Sequence, residues 1–161
     1  LVEALADILC ENEMQYVGLG SGDGQLAGQL KSLQSRFPKQ VRFVEGYSNA
    51  LAHQIEAGSD YFVMPSRFEP CGLNQLYSLR YGTIPIVNGV GGLVDTVIDI
   101  GHDKPTGLVL NQLTVQALSD ALKKACSVHG SDQSREMAQR GMKVDFGWAN
   151  ASTHYLNCYQ G

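Results

Sequence analysis

The sequence has no lysine- or arginine-rich cluster, no Gly-Lys-Ser/Thr, no Cys-x-x-Cys pair and no apolar run longer than a strand. Each absence removes a class of function. With a net charge of -4 and a pI near 5.5, the chain has no general attraction for nucleic acid or an anionic membrane. Any phosphate it binds must therefore be held by local geometry. Without Gly-Lys-Ser/Thr there is no P-loop. Cys10, Cys71, Cys126 and Cys158 stand far apart and read as free thiols in a reducing compartment, not as a disulfide framework. His53, His102, His129 and His154 show neither His-x-x-x-His spacing nor a nearby cysteine pair, so no zinc site is expected. Neither a membrane-spanning run nor a signal-peptide pattern is present.

What is present is ordinary globular composition, 43% hydrophobic and 17% charged over 161 residues, enough for one domain with a sizeable core. The opening "LVEALADILCENE" sets Val2, Leu5, Ala6 and Leu9 on one helical face from the first residues, without a capping residue, and reads as a chain cut mid-element. Strands and helices then alternate. "MQYVGLG" is a strand feeding a glycine turn. "QLAGQLKSLQSRF" is a helix stopped by Pro38, "VRFVEGY" a strand, and "SNALAHQIEAG" a helix capped by Ser48 or Asn49. "DYFVMPS" is a strand, "PCGLNQLYSLRYG" a helix with Pro70 at its first position, "IPIVNGV" a strand, "GGLVDTVID" a short helical turn and "TGLVL" a fifth strand. From Thr114 onward the pattern is helical, with Leu118, Ala121, Leu122 and Ala125 sharing a face. Strands that are apolar throughout, alternating with helices, imply an α/β fold: a Rossmann-like parallel sheet covered by helices on both faces. Ligands of such sheets sit beyond the carboxyl ends of the strands.

Four strand ends carry chemistry: Gly18 to Gly24, Gly46-Tyr47-Ser48, Ser66 to Gly72, and Asn88 to Gly92. Glycine permits positive φ and close backbone approach, and a helix start offers unpaired N–H groups with roughly half a unit of positive charge. This is a way to seat phosphate without lysine. "GLGSGDG" departs from the Gly-x-Gly-x-x-Gly dinucleotide fingerprint, and "GYSNA" misses the Gly-x-Ser-x-Gly elbow of hydrolases at Ala50. Several single residues keep two readings. Tyr47 is a core aromatic or a stacking platform for a base. Glu69, before Pro70, is a helix-dipole partner contributing about 0.3 to 1 kcal/mol, or a functional carboxylate. Cys71 is a packing residue or, beside a helix start, a nucleophile. Arg67 pairs with Glu69 or with a phosphate.

Taken together, "MPSRFEPCGLNQLYSLRYGTIPIVNGVGGLVDTVID", with "GYSNALAHQIEAGSD" upstream and "DFGWANASTHYL" downstream, resembles the bacterial glycogen synthase and plant starch synthase family. The likeness covers nearly the whole chain. It implies a GT-B fold, of which residues 1–161 would be the C-terminal nucleotide-sugar domain, with its first part and the acceptor domain lying before Leu1. It implies retaining transfer of glucose from ADP-glucose to an α-1,4-glucan, without metal or other cofactor, in a bacterial cytoplasm or a plant plastid. The polypeptide alone would not turn over. By the same resemblance Glu69 is the active-site glutamate near the donor glucose, and Tyr47 packs near adenine. Ser66, Arg67, Cys71, Gly72, Leu73 and Asn74 belong to the loop that meets sugar and phosphates, and Gly91, Gly92, Leu93, Asp95 and Thr96 to a second glycine turn. Two departures stand out: Asn88-Gly89 where many relatives carry arginines, and Tyr77 where the wider superfamily has a second glutamate. A non-catalytic nucleotide-binding module, and a transferase using another nucleotide-sugar, are the rival readings.

Overall fold

The computed structural model describes residues 1–11 and 13–160. The order is α1 (Val2–Glu11), β1 (Tyr16–Gly20), α2 (Gly24–Arg36), β2 (Val41–Glu45), α3 (Asn49–Gly58), β3 (Tyr61–Met64), α4 (Asn74–Tyr81), β4 (Ile84–Asn88), α5 (Gly92–Thr96), β5 (Leu108–Leu110), α6 (Val115–Val128), α7 (Asp132–Lys143) and α8 (Trp148–Gln160). Local chemistry sets many of these bounds. Side chains of Asp23, Ser48, Thr114 and Ser131 accept from the backbone N–H three positions on and so start α2, α3, α6 and α7. Each such cap stabilises by about 1 kcal/mol. Gly82, at φ 82°, ends α4 in the left-handed conformation that a side chain resists.

All ladders are parallel, as the alternation predicts, but they form two hydrogen-bonded sheets, β1–β2 and β3–β4–β5. The sheets share one core. Leu5, Ile8, Leu33, Val41, Ile84, Ile86, Leu118, Leu122 and Met137 are buried in a single cluster drawn from both sheets and from α1, α2, α6 and α7. A smaller cluster, Val87, Leu93 and Val97 with Met64, Val90 and Val109 packed on it, lies under the ends of β3 and β4. It holds α5 in place, since five residues are far too few for a helix to persist on propensity alone.

Burial corrects the sequence reading in three places. β4 is buried along its whole length, whereas β1 and β3 are only partly covered. The inner face of α1 is Ala4, Leu5, Ile8 and Leu9, one step round from the expected set. Helix α4 begins at Asn74, not at Pro70, because Gly72 turns the chain at φ 77° and residues 70–73 run as a loop. As a result Leu73 and Tyr77 are exposed, and Gln75, Ser78 and Leu79 face the interior.

Candidate active site

Two loops that are distant in sequence lie against each other: the one after β3, residues 65–73, and the one after β4, residues 89–91, that leads into α5. Gly92 N–H donates to the Glu69 carbonyl at 3.2 Å. Asn88 Nδ2 donates to the Ser66 carbonyl at 2.9 Å. Gly91 and Gly92 are required by this approach. A Cβ on Gly91 would fall 1.9 Å from the Glu69 oxygen, and one on Gly92 would fall 2.6 Å from the Cys71 oxygen. Gly91 also sits at φ 50°.

Helix starts decide which of the four glycine loops can take an anion. At α2 the Asp23 carboxylate already accepts from Leu26 N–H at 2.8 Å, and at α3 Ser48 Oγ accepts from Leu51 N–H at 3.3 Å. Those two ends are capped from within the chain. Neither α4 nor α5 has a side-chain cap, but the first three N–H groups of α5 donate to the Glu69, Val90 and Gly91 carbonyls, whereas at α4 those of Asn74 and Gln75 have no partner among the described residues. An anionic group placed beside the α4 start would meet those free N–H groups.

The candidate residues fall into three groups. Glu69 is half-buried, and among the described residues its carboxylate has no hydrogen-bond or ion-pair partner; Arg67 is exposed and forms no salt bridge with it. The Arg67–Glu69 pairing is therefore not formed. Because α4 starts only at Asn74, Glu69 also lies beyond the first turn where the dipole acts. Cys71 is exposed, with Sγ 3.4 Å from the Gly72 carbonyl and, among the described residues, no base bonded to it. Leu73 and Asn74 are exposed at the open helix start, and Asp95 is exposed on α5.

In the second group, Leu93 is fully buried in the small cluster and its N–H donates to the Val90 carbonyl at 3.1 Å; Thr96 Oγ1 donates to the Gly92 carbonyl at 2.7 Å. These two hold the second turn together. Tyr47 forms the third group by itself. At 88% exposure it is not a core aromatic, and among the described residues no hydrogen bond joins it to the Glu69 loop. No three histidine, cysteine or acidic side chains among the described residues group as metal ligands; the His154 side chain lies outside them. Two concavities lie elsewhere, one beside β5 with Asp99, Thr114 and Lys124, the other by Arg80, Lys143 and Phe146.

Sequence reasoning missed two polar residues here. Gln75 is completely buried under the loop, and Asn88, read as a departure where an arginine contact is missing, is 6% exposed and ties β4 to the loop after β3. For Gln75 a signal existed: with Ser78 and Leu79 it occupies the inward positions of an amphipathic helix, where a glutamine requires a reason.

Fold and loops together define a class: an α/β domain of parallel strands with an open helix start beside a carboxylate that has no partner among the described residues. Residues 1–144 match the family Glycosyl transferases group 1, and the chain belongs to that family. Over 99% of its length it is 46% identical to the glycogen synthase of Thioalkalivibrio sulfidiphilus, and over 96% it is 48% identical to that of Myxococcus xanthus. It covers 34% and 32% of those proteins, about a third of the length of the curated relatives it matches. Among solved structures, the catalytic domain of starch synthase IV from Arabidopsis thaliana bound to ADP and acarbose superposes with a TM-score of 0.72 at 28% identity, covering 99% of this chain and 41% of that one. The chain is thus similar to glycogen and starch synthases, and it shares the GT-B fold.

Proposed function

We propose that this chain is the donor-nucleotide half of a glycogen synthase that transfers glucose from ADP-glucose to the non-reducing end of an α-1,4-glucan, with retention of configuration. The observation that carries this reading is the open start of α4 beside the unpaired Glu69 carboxylate, on a loop held by the Gly92–Glu69 hydrogen bond. The α4 start would receive the diphosphate, and Glu69 would face the sugar. There a carboxylate orients the donor hydroxyls and offsets positive charge developing at the anomeric carbon in the transition state. The leaving diphosphate would assist deprotonation of the acceptor hydroxyl. In this reading charge is met by the backbone N–H groups at the α4 start, and neither metal nor organic cofactor takes part. The glucan and an acceptor-binding domain are the expected partners, and a bacterial cytoplasm the expected setting.

Calorimetric titration of the 161-residue chain and of the natural full-length protein with ADP, UDP and ADP-glucose tests the assignment. Binding of ADP and ADP-glucose in preference to UDP is the expected result. A clear UDP preference overturns the donor assignment, and no binding of any nucleotide at millimolar concentration returns the domain to an inert module.

A further inference from the structure

The buried amide of Gln75 has a geometry that packing does not explain. Its Nε2 donates to the Cys71 carbonyl at 2.9 Å and to the Gly72 carbonyl at 3.1 Å, and reaches Thr96 Oγ1 at 3.4 Å. Three oxygens on one side fix which way the amide faces, because only the NH2 end can donate to them. The other end, Oε1, is buried and has no hydrogen-bond partner among the described residues. A methionine would fill this position without burying an unpaired oxygen of its own but would leave the Cys71 and Gly72 carbonyls without this donor, so the donor end is what distinguishes a glutamine here.

The two carbonyls decide the direction of two N–H groups. In a trans peptide the C=O and the following N–H point in opposite directions, and the described chain has no cis bond. Drawing the Cys71 oxygen inward aims the Gly72 N–H outward, and drawing the Gly72 oxygen inward does the same for Leu73. Neither N–H has a partner among the described residues. Gly72 is needed for the same reason, since a Cβ there would lie 2.4 Å from Gln75 Oε1. Through Thr96, which is bonded to Gly92, the same amide also touches the second turn.

We propose that Gln75 is a positioning residue for donor recognition: from below the loop it aims the Gly72 and Leu73 N–H groups at the diphosphate-linked part of the donor and couples the two glycine turns. This rests on the donor-binding reading above. Gln75 does not touch the ligand.

The test uses Gln75→Met, equal in length but with no donor, and Gln75→Glu, which can donate only when protonated. In the natural full-length protein, Gln75→Met is expected to raise the Kd for ADP about tenfold or more, a difference of about 1.4 kcal/mol, and to raise the donor KM more than it lowers kcat. Gln75→Glu is expected to bind weakly at pH 8 and to approach the parent's affinity as the pH falls toward 5, each measurement taken as a ratio to the parent at the same pH. Loss of packing alone would give no such pH profile. A folded Gln75→Met protein that binds ADP like the parent, or a Gln75→Glu deficit independent of pH, overturns the proposal. If the methionine variant does not fold, the glutamate profile decides. In ligand-free protein labelled with 15N-glycine and 15N-leucine, the Gly72 and Leu73 amide resonances should move in the variants; unmoved resonances sink the positioning role. Moved resonances in a protein whose parent binds no nucleotide sink the donor reading instead.

Discussion

The backbone N–H of Gly92 holds the carbonyl oxygen of Glu69 at 3.2 Å, so the turn after β4 fixes where the acidic loop after β3 can stand. The carboxylate of Glu69 is left free while its backbone is pinned. That separation suits a group whose side chain acts on a ligand and whose position must not drift.

Gly91→Ala tests the contact directly. The added Cβ would overlap the Glu69 oxygen, and φ of 50° is unfavourable for alanine. We expect a loss of stability of at least about 1 kcal/mol and a loss of ADP affinity beyond what the stability change explains. Gly130→Ala is the control: it carries similar backbone strain at φ 72°, but its Cβ meets nothing within 4 Å, and it lies outside both loops. Thermal melts and ADP titrations on both variants should show instability in each but weakened binding only in Gly91→Ala.

Glu69→Gln separates a functional carboxylate from a helix-dipole partner. With no bonded partner for its carboxylate among the described residues and with α4 starting at Asn74, Glu69 contributes little to folding, so the melting temperature should hold. In the full-length protein kcat should fall by well over ~10-fold, a change above ~1.4 kcal/mol. An unchanged kcat together with a lowered melting temperature would reverse the assignment.

How far the molecule could be read from its residues follows from which interactions are local. All five strands and the helices between them were legible, because apolar runs punctuated by glycine and proline are local signals, as is the cap Ser48. Pro70 misled for a physical reason: proline favours a helix start, but Gly72 at φ 77° and the Gln75 amide below it impose a further turn before the helix can begin. Gln75 and Asn88 escaped notice because their partners, Cys71, Thr96 and Ser66, meet them only after folding. The division into two sheets was equally hidden, since strand pairing is a long-range choice.

Glu56 predicts a stability that depends on pH. It is 4% exposed on α3, its Oε2 has no partner among the described residues, and burial raises its pKa while His53 opposes the shift. A carboxyl whose folded pKa is raised contributes most when protonated, and its contribution is lost as pH rises through that value. Glu56→Gln removes the charge without removing the volume. It should melt above the parent at pH 7.5, with the two curves converging toward pH 4; a constant difference across that range would exclude ionisation of Glu56 as the cause.

Tyr61 makes the complementary prediction at high pH. Its hydroxyl donates to the Ala125 carbonyl at 2.9 Å, joining β3 to the end of α6. Burial, with Asp60 and Cys126 adding to it, pushes its pKa up to about 12 from 10.0. The unfolded chain therefore ionises this phenol first, and between those values the folded chain holds a proton that the unfolded chain has released. Unfolding then releases a proton, so the stability contribution of Tyr61 is complete below the lower value and falls as pH rises through the window. Tyr61→Phe should cost about 0.5 to 1.5 kcal/mol at pH 8 through the lost hydrogen bond. Urea denaturation of parent and variant at steps from pH 8 to 11.5 should show that deficit shrinking above pH 10, because only the parent carries the ionisable phenol. Lysines and the other tyrosines titrate in both proteins and cancel in the comparison. Parallel stability curves over the whole range would mean that Tyr61 ionises alike in the folded and unfolded chains.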